Sequence, residues 1–470
     1  MTKNNHLHKP EGENFTHDLT TGIIRKQLWS LAWPMMLSVL FYTLYNIVDA
    51  YWVSKLSPEA IAAVSISQIT LFITMALGFG VTVGSGVVMA MHIGAKDTKE
   101  AERILGQSFV LAAILGIFFT IISLIFRTQL LTISGAAGLI FEPAKEYFTI
   151  IAGGSILMFL LMTIMFAFNS QGDTSTLTKL FAISTLINAI LDPIMIFGWL
   201  GFPVLGISGA AIATLISQVI FIIIALRSLS GKHRSIRFHV SNLTFKWESV
   251  KRVLKIGFPA ALTQVIYPIG LAVLTLITSS RFLEPGAISL SLGFRIEFFA
   301  FLPAVGFGFG AMAMIGQNIG AGNINRAREV LKTALKYGFL TAAGLGVLAA
   351  LLAEPIIGVF TTDPAVTKDT LSYLRIVALL SYGFLAASMV EANSFQALGK
   401  SWPGFWIFFL RFIVITLPLS YVLTHILSYP IIAVWISVVV GSVVSAAVGY
   451  VWIRKTMKKL DLKEAPVQAH

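Results

Sequence analysis

TLFITMALGFGVTVGSGVVMAM, residues 70–91, decides the fold class, because it holds no charged side chain over 22 residues. About 20 apolar residues suffice for a helix to cross the hydrocarbon core of a bilayer. A spanning segment must satisfy its own backbone hydrogen bonds, so a helix is the expected form. Working outward, comparable runs recur along the whole chain. Of 470 residues, 56% are hydrophobic and 12% charged, against roughly 25% charged in a soluble domain. That balance excludes a soluble enzyme or binding module. The chain has no cysteine, which removes disulfides, zinc-thiolate sites and thiol nucleophiles.

The apolar runs predict an all-α polytopic membrane protein with 12 transmembrane helices, over 29–53, 61–91, 105–126, 147–168, 178–198, 205–226, 253–280, 287–317, 333–353, 371–398, 404–424 and 430–453. The expected organisation is an N-terminal tail (1–28), an N-lobe (29–226), a linker (227–252), a C-lobe (253–453) and a C-terminal tail (454–470). Of 34 Lys and Arg, 26 lie in, or within a turn of, the two tails and the even-to-odd loops, and five lie in the opposite loops. The positive-inside rule then places both termini in the cytoplasm of a multi-pass cell-membrane protein. The net charge of +12 is accordingly an orientation signal, and no nucleic-acid partner is expected.

The two sets of six spans are repeats. LAWP (31–34) pairs with IGFP (256–259), PEAI (58–61) with PGAI (285–288), and IGA (93–95) with IGA (319–321). Gly80 and Gly84 meet Gly306 and Gly310, AERIL (101–105) falls on AREVL (327–331), and Pro193 falls on Pro418. The offset stays at 225–227 residues. With six spans per half, the repeats are parallel and related by an axis along the membrane normal, an arrangement found in secondary transporters. The glycine spacing predicts close helix packing.

The repeat copies the prolines and glycines but not two acids. Asp49, in LYNIVDAYWV (44–53), falls opposite Leu274, and Asp192 opposite Leu417. An acid at a helix centre costs about 2.5–3.5 kcal/mol on insertion scales, so an intramembrane acid marks function. The weaker reading is a snorkelling or statically neutralised side chain. Asp49 and Asp192 sit four and six residues before their predicted span ends, so their depths agree within a turn. Tyr45 and Asn188 stand one turn earlier on the same faces. Pro34 and Pro193 each remove an intrahelical hydrogen bond and bend their spans. A proton and a cationic substrate (or Na+) would compete for this one negative charge, and alternating access would turn that competition into antiport. In the C-half, Arg295, Glu297, Glu391 and Arg411 are intramembrane ionisable residues, expected to form either a functional group or a structural ion-pair network.

The order of WP (33–34), YNIVDAYWV (45–53), LINAILDP (186–193), GISGAAIAT (206–214) and the repeated IGA loops resembles the multidrug and toxic compound extrusion (MATE) family, in its DinF-like branch. The resemblance covers nearly the whole chain. It implies two pseudo-symmetric six-helix bundles in a V, exporting cationic, amphipathic compounds against H+ or Na+. It assigns Asp49 and Asp192 to ion coupling and Tyr45, Asn188 and Thr214 to the polar lining of the N-lobe cavity. Asp49, Asn188, Asp192 and Thr214 are then the donors available to Na+. No cofactor, structural metal or catalytic residue is implied, and the partners are small molecules and the lipid bilayer, with the chain acting as a monomer. The alternative within the superfamily is a flippase for a lipid-linked precursor, which would need a strongly basic central cavity.

Overall fold

The apolar runs form helices throughout the computed structural model, which describes residues 18–231 and 234–464; most of the N-terminal tail and the last six residues lie outside it. The N-half contains α1 (Ile24–Ser54), α2 (Pro58–Gly94), α3 (Thr98–Ile125), α4 (Phe141–Gly153, bent by 52° into Ser155–Ser170), α5 (Thr174–Phe197) and α6 (Gly206–Leu229). The C-half opens with α7 and α8, two arms (247–282 and 284–320) of one helical run broken at Leu283, whose φ is 58°. It continues with α9 (Ile324–Leu351), α10 (Pro364–Ala397), α11 (Trp402–Ile426) and α12 (Ile432–Glu464). No strand occurs among the described residues.

Local chemistry sets the starts and stops. The Ala60 amide donates to the Ser57 hydroxyl at 3.1 Å with Pro58 in the first turn of α2. Asp97 and Asp173 accept from the Glu100 and Thr176 amides at the starts of α3 and α5, as helix N-caps do. Gly198, at φ 72°, ends α5 in the left-handed conformation. Two short helices, Arg127–Ile133 and Ala353–Gly358, stand where the hydropathy pattern predicts loops. They start 226 residues apart (353 − 127), so the repeat includes them.

The packing joins the halves at one end only. A single apolar core combines Leu28, Leu31, Val81 and Val87 of the N-half with Val253, Ala304, Ala311 and Ile315 of the C-half. All lie towards the helix ends on the side of the termini. Towards the opposite ends the apolar clusters separate: one is built only from N-half residues, including Val53, Val64, Tyr147 and Ile207, the other only from C-half residues, including Leu274, Leu290, Tyr373 and Trp435. The repeated glycines make the joined end possible. A Cβ on Gly80 or Gly84 would collide with the backbone of Gly257 or Val253 in α7, and one on Gly306 with Ala32 in α1. Across the α2 and α8 ends, a Cβ on Gly94 would strike the Gln317 carbonyl and one on Gly320 the Met91 carbonyl.

Polar straps cover this joined end. Arg326, at the start of α9, donates to the carbonyls of Thr21 (2.6 Å) and Gly22 (2.9 Å) and to Gln27 (2.9 Å), while Asn318 donates to the Leu19 carbonyl. The linker is tied to the N-half by the Arg234–Asp173 ion pair and by the Ile236 amide donating to Gln171 Oε1 at 3.3 Å. Burial acts to raise the Asp173 carboxyl, but hydrogen bonds from Arg234 and Thr176 and the Arg234 charge outweigh it and hold the group below its ordinary 3.8. A depressed folded value stabilises fully above the unfolded value and is lost as pH falls through the folded one. Thermal unfolding should therefore show wild type more stable than Asp173→Asn at pH 6–7, with the difference shrinking as pH falls below 3.8 and through the lowered folded value. A difference that persists at acid pH would remove the ionised pair as its cause.

Candidate functional site

Helix α5 runs along α1 in a fixed parallel register, set by its threonines. Thr174, Thr178 and Thr185 donate to the α1 carbonyls of Leu31 (3.1 Å), Pro34 (2.6 Å) and Phe41 (3.1 Å). The residue offsets are 143, 144 and 144, and the offset from Asp49 to Asp192 is also 143 (192 − 49). The same ladder therefore brings the two acids level. Each lies five residues before its helix end (54 − 49 and 197 − 192), about 7.5 Å along the axis.

Both acids are buried, Asp49 at 2% exposure and Asp192 at 0%. Asn188, fully buried, donates its Nδ2 to Asp192 Oδ1 at 3.0 Å. The Tyr45 hydroxyl donates to the Thr214 carbonyl of α6 at 3.4 Å. The two carboxyls are within electrostatic reach of each other, and both act on Tyr45 and Tyr147. Asp49 Oδ1, Asp192 Oδ2, Asn188 Oδ1 and Thr214 Oγ1 are buried without a hydrogen-bond partner among the described residues. Unpaired buried oxygens are costly in a fold. Their concentration between α1, α5 and α6 makes an acceptor-rich site suited to a proton or a small hard cation. No group of three or more His, Cys, Asp and Glu able to hold a metal occurs among the described residues.

The two prolines differ in their surroundings. Pro34 lies within α1, and its own carbonyl accepts from both Ser38 (3.0 Å) and Thr178 (2.6 Å), which fixes α1 to α5 at that turn. Pro193 is buried within α5, directly after Asp192. Tyr147 of α4 has no counterpart in the sequence reading. Its position six residues after the start of α4 (147 − 141) matches the depth of the acids, whereas the span predicted from 147 puts it at the membrane edge and gives no signal.

The four C-half residues do not form one group. Glu297 accepts the Tyr373 hydroxyl at 2.6 Å and faces Arg411 Nη2 at 3.8 Å, all three buried. Arg295 is exposed, as its position two residues from Glu297, about 200° around the helix, requires. Glu391 lies 18 residues beyond Tyr373 on α10 (391 − 373), about 27 Å along the axis. It is buried against Gly449 of α12 rather than near the ion pair. Opposite the N-half acids, Leu274 and Leu417 sit in the C-half apolar cluster.

Comparison with known proteins adds the following. The MatE family model matches residues 34–194 and 259–422, one segment in each half and well over half of the chain. The probable multidrug resistance protein NorM of Thermotoga maritima is 26% identical over 419 residues, covering 88% of this chain and 89% of its own. The FAD transporter of Shewanella oneidensis is 28% identical over 408 residues, covering 86% and 89%. A solved structure described as the outward-facing conformation of a multidrug resistance MATE family transporter of the MOP superfamily superposes with a TM-score of 0.87 at 27% identity, covering 94% of this chain and 98% of that one.

Proposed function

The chain belongs to the MatE family of membrane transporters, and from that premise we propose that it is a secondary active multidrug exporter. It exchanges cationic, amphipathic compounds for H+ or Na+ by alternating access, with Asp49 and Asp192 as the coupling site. The observation that carries this reading is the level, buried acid pair with its unpartnered oxygens. In the proposed cycle, one positive species occupies these oxygens at a time. Asn188 holds Asp192 in place, and Tyr45 ties α1 to α6 beside the pair. Arrival of H+ or Na+ from the open end discharges the cationic drug, and drug loading at the other face discharges the ion.

The single joined core supports access from the end opposite the termini, and the glycine crossings supply the seal that must open for loading. The protein is proposed to sit in the cell membrane as a monomer with both termini in the cytoplasm. A flippase for a lipid-linked pyrophosphate has less support, since Arg295, Arg375 and Arg411 are the three basic residues well inside the spans and Arg411 faces Glu297.

Expression in cells stripped of their own exporters tests the proposal. Ethidium accumulation should fall and norfloxacin resistance should rise in energised cells, with both effects lost when the ion gradients are collapsed. Unchanged ethidium accumulation together with FAD appearing in the medium would replace the multidrug reading with export of an anionic nucleotide cofactor.

A further inference from the structure

A basic groove lies between α9 and α12 at the end that carries the termini, outside the acid-pair site. Arg328, Lys332, Arg454, Lys455 and Lys458 line it together with Leu331, Leu335, Tyr450, Val451 and Met457. Its volume is about 540 Å³, and among the described residues no acid lines it. The cations are arranged by helix periodicity. Arg328 and Lys332 are one turn apart on α9, and Arg454 and Lys458 are one turn apart on α12, so each pair shares a face. Lys332, Arg454, Lys455 and Lys458 are exposed. These four exposed cations around one groove repel one another unless an anion lies between them.

A second groove continues from the first, sharing Leu335 and Tyr450 with it. Its volume is about 480 Å³, and Phe339, Leu340, Phe384, Ala387, Ala446 and Ala447 line most of it, with Lys336 and the buried Glu391 as its charged members. These residues lie deeper in the membrane along α9, α10 and α12. The sequence of chemistries along the joined grooves is therefore cationic at the membrane surface and mainly apolar towards the bilayer interior, interrupted by Glu391.

We propose that the joined grooves form a binding site for one anionic phospholipid, with its phosphate headgroup among Lys332, Arg454, Lys455 and Lys458 and an acyl chain along Leu335, Phe339 and Phe384. Basic pockets between transmembrane helices near the surface hold anionic headgroups in this way. The amphipathic order of the two grooves selects a lipid over a free anion, because only a lipid fills both.

Native mass spectrometry of the purified full chain tests this, with phosphatidylglycerol, phosphatidylcholine and sodium phosphate as separate titrants. Phosphatidylglycerol should bind at least roughly 10-fold tighter than phosphatidylcholine, and Lys332→Gln/Lys458→Gln should weaken it by roughly 10- to 30-fold. Lys332→Arg/Lys458→Arg should keep the affinity, as should Lys246→Gln/Lys251→Gln, which removes two cations elsewhere. If the double glutamine variant does not fold, Lys458→Gln alone should still weaken binding by roughly 3- to 5-fold. Equal affinity for the two lipids, an unaltered affinity in the glutamine variants, or displacement of phosphatidylglycerol by equimolar phosphate would each overturn the proposal.

Discussion

Asp192→Asn and Asp49→Asn should each reduce export of ethidium and norfloxacin to that of cells without the protein, while membrane abundance stays unchanged. Asparagine keeps the shape of the side chain and, at position 192, an oxygen that can still accept from Asn188 Nδ2. What it removes is the capacity to carry a negative charge. Since each intramembrane acid costs about 2.5–3.5 kcal/mol on insertion scales, the variants should be at least as stable as wild type. Loss of activity with unchanged or raised thermal stability is the signature of a site kept for function. Full drug resistance in both variants would eliminate the carboxylate mechanism. Loss in only one would assign coupling to a single acid instead of the pair.

Gly94→Ala and Gly320→Ala should have the largest effect on the conformational balance. At both positions the added methyl would meet a backbone carbonyl of the other half, and no flexible side chain is there to yield. Overpacking of this kind costs about 1–3 kcal/mol, corresponding to roughly 5- to 150-fold in the balance between the closed and open arrangement of that end. The absence of native cysteine makes the readout clean. Ala90, 1% exposed, packs against Gly316 across the joined end. An Ala90→Cys background should resist maleimide in the otherwise wild-type chain and label faster once either glycine is replaced. Gly344→Ala, where an added Cβ meets nothing within 4 Å, is the matched control and should not change labelling. Equal labelling in all three variants would mean that the glycine crossing does not hold this end closed.

Much of the fold was legible because bilayer crossing imposes a long apolar period that survives without any tertiary information. The duplication was legible because Gly80 and Gly84 pack on the first helix of the C-half as Gly306 and Gly310 pack on the first helix of the N-half. The short helices at 127–133 and 353–358 were missed because seven and six residues are too few for a 3.6-residue period to emerge. The π-helical turns at 410–416 and 422–426 left no trace either. They arise from a shifted backbone hydrogen bond, not from a distinctive residue. They fall in α11, the C-half counterpart of α5, which has no such turns, so the pseudo-symmetry is broken where Arg411 stands.

In the acid site, depth could be counted along each helix, but rotation about the helix axis could not. The threonine ladder of α5 supplies that rotation through contacts with α1, which no single-helix pattern contains. The same limitation explains the C-half grouping. Arg295, Glu297, Glu391 and Arg411 are all intramembrane by hydropathy, yet only Glu297 and Arg411 meet. Arg295 points around the helix and Glu391 lies far along another. Tyr147 belongs to a fourth helix that starts six residues before the predicted span, so the sequence placed it at the membrane edge and not at the depth of the acids.

The most direct measurement of the exchange mechanism uses proteoliposomes that contain the purified chain, with proton and sodium gradients imposed separately and ethidium movement recorded together with ion flux. In wild type, one of the two gradients should drive ethidium, and an ethidium gradient should drive that same ion in the opposite direction; both movements should disappear in Asp49→Asn and Asp192→Asn. Ethidium moving at the same rate in wild type and both variants, with no accompanying ion flux, would contradict a shared carboxylate site for drug and ion.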